Sequence, residues 1–252
     1  MNIKVLALMT ALFATACSSS SSTPDTSRLV VAHRGGAALG TENSISTIAL
    51  GIAAGADMVE VDVHMTADSQ LVVCHDATVN RTTEGRGRIE EMTLAEIKKL
   101  HLEGTDEAMP TLEEVLSAVR GKCALLLEIK KKQHQYVGIE KHVVQLVRDY
   151  GMSDQVVIQS FNKPVLEDIH RLDPELRLEL LTFFPPSHPE QYKHIASFNV
   201  CHYFITRSFV DKAHRLGKEV KIWTVDSHNR ATKLPIDGII TNNPSLFTQA
   251  VR

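Results

Sequence analysis

Histidines and carboxylates stand at the ends of short apolar runs along this chain, in a pattern that can support acid–base chemistry beside a metal ion. The runs are VVAHRGG, MVEVDVH, VVCHD and LLLEIK, and the polar residues of interest in them are His33, Glu60, Asp62, His75, Glu128 and Lys130. Attack on a phosphorus ester needs a proton acceptor, a proton donor and a cation that offsets the developing negative charge. This set contains a candidate for each part, provided that the fold brings its members together.

The elements that would bring these residues together are β-rich runs that alternate with helical stretches. Eight runs are predicted to be strands: RLVVAH, DMVEVDV, CALLLEI, QVVIQSF, RLELLTF, YFITRS, EVKIWTV and DGIIT. The helices predicted between them include HPEQYKHIASF at residues 188–198 and DSHNRATKL at residues 226–234. Strands that alternate with helices favour a parallel sheet, and eight of them predict an α/β protein with one closed (β/α)8 TIM barrel over residues 28–252.

The spacing of the carboxylates predicts a site for one divalent cation. Side chains alternate between the two faces of a strand, so Glu60 and Asp62 share one face, as do Glu128 and Lys130. The carboxyl ends of barrel strands meet at one face, where three carboxylates would repel one another strongly without a cation between them. Oxygen ligands favour a hard ion, so the expected cofactor is Mg2+ or Ca2+. His64 shares the parity of Asp62, but the same preference for oxygen predicts a place at the pocket rim.

Residues 77–110 interrupt the alternation and form a predicted loop-rich insertion after the second strand region. Insertions after barrel strands usually shape the mouth of the active site. Apolar residues recur along this insertion at helical spacing: Ile89, Met92, Leu94, Ile97, Leu100 and Leu102. The spacing is compatible with an apolar groove for an acyl chain and equally with a small packed helix. In the same segment, Arg86 of TTEGRG is a weak candidate for a substrate contact.

The N-terminal segment predicts export. Residues 1–16 contain the apolar run VLALMTALFA, which is too short to span a bilayer and is typical of a signal peptide. Cys17 follows the small residues ATA and begins a serine-rich tether at residues 17–27. It resembles the lipidated cysteine of a bacterial lipoprotein, which predicts a lipid-anchored protein of the cell envelope, in the outer membrane or periplasm if there are two membranes. Cleavage after Ala16 without lipidation is the alternative.

Charge and cysteine content argue against other classes of protein. The net charge is -3 and the basic residues are scattered, so no basic stripe is available for a nucleic-acid backbone and no nucleic-acid partner is expected. Cys74, Cys123 and Cys201 each lie in or beside an apolar run, which favours buried thiols over a disulfide framework. A single Cys74–Cys123 bridge is the alternative.

Taken together, the motifs resemble the glycerophosphodiester phosphodiesterase family along essentially all of the mature chain. The matching segments are HRGG, TENSISTIALGIAAGAD, EVDVHMTAD, CHDATVNRTTEGRG, PTLEEVL, LLLEIK, QSF, WTVD and DGIITNNP. The resemblance implies a (β/α) barrel, a divalent metal and the hydrolysis of glycerophosphodiesters to sn-glycerol 3-phosphate and an alcohol. Ser44 stands where threonine is frequent, and Asn242-Asn243 where an aspartate is frequent; both departures leave the chemistry intact.

The resemblance also implies roles for individual residues. His33 and His75 would be the acid–base pair, with the direction of proton transfer left open. Carried over by motif, the metal ligands would be Glu60, Asp62 and Glu128, and the phosphate contacts would be Arg34 and Lys130. Beside this carry-over, Trp223 at a strand end is expected to form an apolar wall against the glycerol. Glu42 either interacts with a helix N-terminus or supports the phosphate site.

Three functions compete on these observations. The leading one is hydrolysis of small glycerophosphodiesters. The second is a phospholipase D activity on lysophospholipids in the same fold, which would need the apolar groove. The third is a non-catalytic lipoprotein that binds phosphodiesters for a transporter, and His33 and His75 argue against it because capture needs no proton shuttle.

Overall fold

Eight parallel strands close into a barrel in the computed structural model, which describes residues 28–132 and 135–248. The strands in chain order are β1 (Leu29–Ala32), β2 (Met58–Met65), β3 (Leu71–Val73), β4 (Ala124–Ile129), β5 (Val156–Ser160), β6 (Arg177–Thr182), β7 (Ile195–Cys201), β8 (Glu219–Trp223) and β9 (Gly238–Thr241). Around the barrel the order is β1, β9, β8, β7, β6, β5, β4 and β2, and β1 pairs with β2 to close the ring. The short β3 pairs antiparallel with the carboxyl end of β2. The predicted TIM barrel is therefore confirmed.

Helices lie between most of the barrel strands. They are α1 (Ile45–Ala53), α2 (Leu94–Ile97), α3 (Leu112–Val119), α4 (Ile139–Asp149), α5 (Lys163–Leu172), α6 (Arg207–Arg215) and α7 (Ser245–Thr248). Local sequence explains where several of them begin. Ser44 Oγ accepts the Thr47 N–H at the start of α1, and Thr111 forms a capping box with Glu114 at the start of α3. One apolar face of α3 is buried, so the cap and the core contacts favour the same helix.

The predicted strand YFITRS, at residues 203–208, is wrong. Thr206 instead caps the N-terminus of α6. The strand in this part of the barrel is β7, which overlaps the end of the helix predicted at residues 188–198. Of that predicted helix, only Pro189–Gln191 is helical, as a short 3-10 turn. The helix predicted at residues 226–234 is likewise reduced to a 3-10 turn, at Ala231–Lys233.

A polar network in the barrel interior connects β7 with other strands of the barrel. Asn199 on β7 is fully buried and its Nδ2 donates to Gln159 Oε1 at 2.8 Å and to Glu179 Oε2 at 2.9 Å. Lys221 Nζ lies 2.5 Å from Glu179 Oε1, and this ion pair is also buried. Gln159 Nε2 in turn donates to Glu60 Oε1 at 3.3 Å. These bonds give the buried amide of Asn199 its partners, while most other residues of β7 are apolar. The helical pattern HPEQYKHIASF includes the first four residues of the strand, and the predicted strand is therefore displaced to YFITRS.

Residues 77–110 form a small substructure beside β3. Antiparallel bridges join Thr78 to Arg88 and Thr83 to Leu102. The six apolar residues at helical spacing pack into one cluster, in which Ile89, Ile97 and Leu102 are buried and Met92, Leu94 and Leu100 are partly buried. These side chains therefore form a local core, which supports the packed alternative over an acyl groove.

The three cysteines of the described part of the chain are free thiols. Cys74 and Cys201 are buried and Cys123 is half-buried, so the Cys74–Cys123 alternative finds no support. Burial raises the pKa of the Cys74 thiol to about 11, which makes it unreactive at neutral pH.

The predicted signal peptide and Cys17 lie outside the described residues. Within residues 28–132 and 135–248, no helix is both long enough and apolar enough to cross a bilayer.

Candidate active site

Three buried carboxylates meet at the carboxyl ends of β2 and β4. Glu60 and Asp62 lie on β2 and Glu128 lies on β4, where the strand register pairs it directly with Asp62. Each residue places one carboxylate oxygen within 4.8 Å of the corresponding oxygens of the other two. The shared strand face that the sequence predicted for Glu60 and Asp62 thus leads to a cluster of three acids.

Lys130 is the basic residue closest to this cluster. Its Nζ lies 3.0 Å from Asp62 Oδ1 and 2.9 Å from Glu128 Oε1. Burial, together with the charges of Asp62 and Glu128, raises the pKa of Glu60 well above its ordinary value. Burial also raises the pKa of Glu128 to about 7. Burial acts in the same direction on Asp62, but Lys130, the two histidines and the hydrogen bond from Asn43 together keep the pKa of Asp62 low. Three ionised carboxylates would therefore carry more negative charge than Lys130 alone compensates.

The residues of the cluster fit a hard divalent cation. All three candidate ligands are carboxylate oxygens, the donors that Mg2+ and Ca2+ prefer. Asn43 Nδ2 donates to Asp62 Oδ2 at 2.9 Å, while the buried Oδ1 of Asn43 has no hydrogen-bond partner among residues 28–132 and 135–248. A cation between the carboxylates would relieve the repulsion that raises the pKa of Glu60.

His33 lies in a tight turn directly after β1. Arg34 in this turn adopts a left-handed backbone with φ 52°, which directs its N–H to Glu60 Oε2 at 2.8 Å. His33 Nδ1 lies 2.7 Å from Oδ1 of Asn242, which follows β9. Burial and the neighbouring Arg34 charge lower the pKa of His33 below 6.5. This turn therefore brings His33, a candidate acid–base residue, close to Glu60, a candidate metal ligand.

His75 follows β3 on the same side of the barrel. Its Nδ1 lies 2.8 Å from Asp76 Oδ1, and Arg81 Nε donates to the other oxygen of Asp76 at 2.8 Å. The hydrogen bond from Arg81 lowers the pKa of Asp76 to about 2. Burial lowers the pKa of His75, while the Asp62 charge opposes that shift. The N–H of Cys74, next to His75, donates to the Asp62 carbonyl at 2.9 Å, as the N–H of Arg34, next to His33, donates to Glu60. Both histidines therefore lie beside the same strand, β2.

Glu42 joins two arginines at the edge of the site. Arg34 Nη1 lies 3.1 Å from Glu42 Oε2, and Arg81 Nη2 donates to Glu42 Oε1 at 2.7 Å. Glu42 therefore supports the site and does not act as an isolated helix-end charge. Arg81 and the predicted candidate Arg86 of the insertion are both exposed, but it is Arg81 that pairs with Glu42 at the site.

Several site residues were not predicted from the sequence: Asn43, Asp76, Arg81 and Asn242. Asp76 could have been found, because a carboxylate next to a candidate catalytic histidine is a common orienting partner. The other three lie in segments that resemble the family, TENS, CHDATVNRTTEGRG and DGIITNNP, but their contacts join parts distant along the chain, which the local sequence does not indicate.

His64 is buried and is not one of the clustered candidate ligands, and it does not lie at the pocket rim. Its Nε2 donates to the His75 carbonyl at 3.2 Å, which leaves Nδ1 to accept from Tyr136 Oη at 2.7 Å. The side chain therefore fixes the backbone of His75. Burial lowers the pKa of His64 to about 4.

The lowered pKa of His64 predicts acid-dependent stability. Between pH 6.5 and about 4, the unfolded chain binds a proton at His64 that the folded protein does not, so the free energy of unfolding falls as the pH falls. The full loss is about 3 kcal/mol. Urea unfolding at pH 7 and pH 4.5 should therefore show a smaller decrease for His64→Gln than for the unmodified protein. The exposed His142→Gln is the control, and an unchanged difference between the two pH values in His64→Gln would contradict the prediction.

Aromatic side chains line the opposite half of the barrel mouth. Trp223 ends β8, and its ring contacts those of Phe161 and Phe183 at centroid distances of 5.6 and 5.1 Å. Trp223 Nε1 donates to the Asn199 carbonyl at 2.8 Å, which fixes the indole. Phe161 and Phe183 are 41% and 54% exposed, so an apolar surface is available at this edge.

Comparison with known proteins places the chain in a family. A profile of the Glycerophosphoryl diester phosphodiesterase family matches residues 33–246. A glycerophosphodiester phosphodiesterase of Caldanaerobacter subterraneus is 35% identical over 237 residues, which cover 89% of this chain and 98% of that protein. The glycerophosphodiester phosphodiesterase of Bacillus altitudinis is 30% identical, with coverage of 85% and 94%.

A solved structure agrees with the sequence relatives. A phosphodiesterase from Oleispira antarctica, in complex with the product sn-glycerol-3-phosphate, superposes with a TM-score of 0.81 at 27% identity. The superposition covers 88% of this chain and 96% of that chain. The barrel, the site and the match over most of the chain have one explanation: the chain belongs to the glycerophosphoryl diester phosphodiesterase family.

Proposed function

We propose that this protein hydrolyses glycerophosphodiesters to sn-glycerol 3-phosphate and an alcohol, with one divalent cation held by Glu60, Asp62 and Glu128. The observation that carries the proposal is the cluster of three buried carboxylates beside two histidines, whose rings are oriented by hydrogen bonds. The product in the Oleispira antarctica structure supports the choice of substrate. Mg2+ and Ca2+ are the proposed ions, because both prefer oxygen donors.

The two histidines would carry the protons. In each, Nδ1 lies within hydrogen-bond distance of an oxygen, Asn242 Oδ1 for His33 and Asp76 Oδ1 for His75. This arrangement leaves Nε2 of each ring for the substrate. One histidine would remove a proton from the attacking hydroxyl while the other protonates the leaving alcohol, as paired histidine side chains can.

Positive charge around the carboxylates would bind the phosphate. When bound, the cation would supply charge that stabilises the phosphoryl oxygens as negative charge develops on them. Lys130 now pairs with Asp62 and Glu128, and it could turn to the phosphate once these carboxylates serve as metal ligands. Arg34 is tied to Glu42 and would add a second positive charge beside the same group.

Two nucleophiles fit the proposed site. The 2-hydroxyl of the glycerol is already positioned next to phosphorus, and an intramolecular attack can gain several kcal/mol over external water. That route would form a cyclic glycerol phosphate, which water then opens with the two histidines in exchanged roles. Direct attack by water is the rival route and needs no 2-hydroxyl.

A substrate analogue without the 2-hydroxyl distinguishes these routes. We expect the analogue to inhibit glycerophosphocholine hydrolysis with an inhibition constant close to the substrate KM, while its own turnover is lost. Normal turnover of the analogue would exclude the cyclic route and favour direct attack by water. Both outcomes are compatible with the proposed hydrolysis, so this experiment tests its route and not its existence.

The exposed aromatic surface favours lysophospholipids as a second candidate substrate class. Trp223, Phe161 and Phe183 could pack against an acyl chain attached to the glycerol. The test compares kcat/KM for lysophosphatidylcholine with that for glycerophosphocholine. A selective loss of the lysophospholipid activity in Phe183→Ser would support this class, and no hydrolysis of lysophosphatidylcholine by the unmodified protein would exclude it.

We also propose that the protein is exported and anchored to a membrane through a lipid on Cys17. The apolar run before Cys17 and the serine-rich tether after it support this proposal. The protein from a bacterial expression host should enter the detergent phase on phase separation, and Cys17→Ser should stay in the aqueous phase. An aqueous unmodified protein would instead favour cleavage after Ala16 without lipidation.

A further inference from the structure

We propose that Asp226 is a positioning residue for His33 and acts through the side-chain amide of Asn242. In this arrangement, Asp226 orients the amide, and the amide holds His33 in the tautomer that carries its proton on Nδ1. The inference rests on the proposed function only for the role of His33 in proton transfer. The tautomer itself can be measured without turnover.

Asp226 accepts three hydrogen bonds from the end of β9. Its Oδ1 accepts from Thr241 Oγ1 at 3.1 Å and from the backbone N–H of Asn242 at 2.8 Å. Its Oδ2 accepts from Asn242 Nδ2 at 2.7 Å. The backbone carbonyl of Asn242 accepts the N–H of Ala38 at 3.0 Å, so the residue is held by its main chain as well. The end of β9 therefore has little freedom to move the side-chain amide of Asn242 away from His33.

The carboxylate determines which way the Asn242 amide points. A carboxylate offers only acceptors, whereas an amide offers donors at one end and an acceptor at the other. If the amide were reversed, Asn242 Oδ1 would face Asp226 Oδ2 where Nδ2 now lies at 2.7 Å, and two oxygens would repel each other. Asn242 therefore presents its oxygen to His33.

The amide oxygen in turn determines the tautomer of His33. Asn242 Oδ1 lies 2.7 Å from His33 Nδ1, and an oxygen acceptor at this distance requires a proton on that nitrogen. Nε2 of a neutral His33 then carries the lone pair that can accept a proton. His75 reaches the same state by a shorter route, because Asp76 Oδ1 contacts its Nδ1 directly at 2.8 Å. At His33 the neutral amide of Asn242 lies between the ring and the Asp226 carboxylate. The carboxylate orients the amide, and the amide orients the ring.

Asp226→Asn tests the proposal. With an amide at both positions, the carboxylate no longer forces one orientation on Asn242, and its NH2 group can face His33 Nδ1. We expect kcat to fall about 10- to 100-fold with KM within about twofold, the size typical of outer partners that orient a functional side chain. In the full chain with 15N-labelled histidine, the His33 resonances should shift from the Nδ1–H tautomer to a mixture. Asp154→Asn, an exposed surface change, is the control.

The reciprocal double variant, Asp226→Asn with Asn242→Asp, separates orientation from general disruption. The double variant places a carboxylate, which can only accept, beside His33 Nδ1 and an amide, which can donate, at position 226. The Nδ1–H tautomer should therefore return, and kcat should recover at least about tenfold over Asp226→Asn. A purely structural role for Asp226 predicts no such recovery. If Asp226→Asn does not fold, Asn242→Leu provides the same tautomer measurement, since it removes the acceptor from His33.

The outcomes are distinguishable from a failure of the proposed function. A His33 tautomer that stays Nδ1–H in Asp226→Asn would overturn the role of Asp226 whatever the activity, and one that stays Nδ1–H in Asn242→Leu would overturn the role of the amide. A tautomer shift with unchanged kcat would overturn the positioning role while leaving hydrolysis in place. If the unmodified protein releases no glycerol 3-phosphate, the proposed function fails, and the NMR experiment still decides whether Asp226 controls the tautomer.

Discussion

Asp62→Asn is expected to abolish cation binding and to lower kcat/KM for glycerophosphocholine by about a thousandfold or more, which corresponds to roughly 4 kcal/mol of transition-state stabilisation. Asp62 lies within the carboxylate cluster and is the member whose pKa stays low, so it is the ligand that is charged most readily. Asparagine keeps the shape and one oxygen but removes the charge. The remaining carboxylates, Glu60 and Glu128, would then offer the cation one charged ligand fewer.

Calorimetric titration with Mg2+ and with Ca2+ measures the loss of binding, and a coupled assay for glycerol 3-phosphate measures the loss of turnover. Exposed Asp154→Asn is the matched control and should behave as the unmodified protein. Glu60→Gln and Glu128→Gln should show losses in the same direction. Unaltered cation affinity in Asp62→Asn would show that the ion binds elsewhere.

The second large effect is expected from the histidines. His33→Ala and His75→Ala should each lower kcat by about 100- to 10,000-fold, the range of general acid–base catalysis. Cation affinity should change little, because neither residue is among the three clustered ligands. If both histidines act in one step, the double variant should lose far less than the product of the two single losses.

The exposed His142→Ala is the control for these substitutions. Circular dichroism and urea unfolding should show folded protein in each case, since neither side chain belongs to the hydrophobic core. Retention of near-normal kcat by either His33→Ala or His75→Ala would remove that residue from the proton-transfer pair. A loss of cation affinity that matches the loss of kcat would instead assign it to the metal site.

The candidate site was predictable to the extent that strand geometry controls it. Alternation along β2 places Glu60 and Asp62 on one face, and the parallel register places Glu128 opposite Asp62. The barrel itself follows from repeated strand and helix patterns. These features depend on local periodicity and on a small number of topological rules, both of which are readable in one sequence.

The contacts that orient the site were not predictable in the same way. Asn242 reaches His33 across 209 positions of the chain, and Arg81 reaches Glu42 across 39. The turn at Arg34 uses a left-handed backbone that a non-glycine residue rarely adopts. These arrangements are set by tertiary packing, which overrides local preference.

The misplaced strand has a related cause. β7 buries Ser197 and Asn199 in the barrel interior, where Asn199 finds partners on β5 and β6. In the sequence, IASF directly follows the polar residues HPEQYKH, so the helical pattern predicted at residues 188–198 extends into the strand. Only the neighbouring strands make its polar residues compatible with burial.

The most direct test of the central claim is the release of glycerol 3-phosphate from glycerophosphocholine by the metal-stripped protein, measured with and without added Mg2+ or Ca2+. We predict no release in excess chelator and restored release when either suitable ion is returned in excess over the chelator. Full activity in chelator would contradict the role of Glu60, Asp62 and Glu128 as ligands of an essential cation. Binding of glycerophosphocholine without any release in the presence of the ions would contradict hydrolysis itself and support a binding protein.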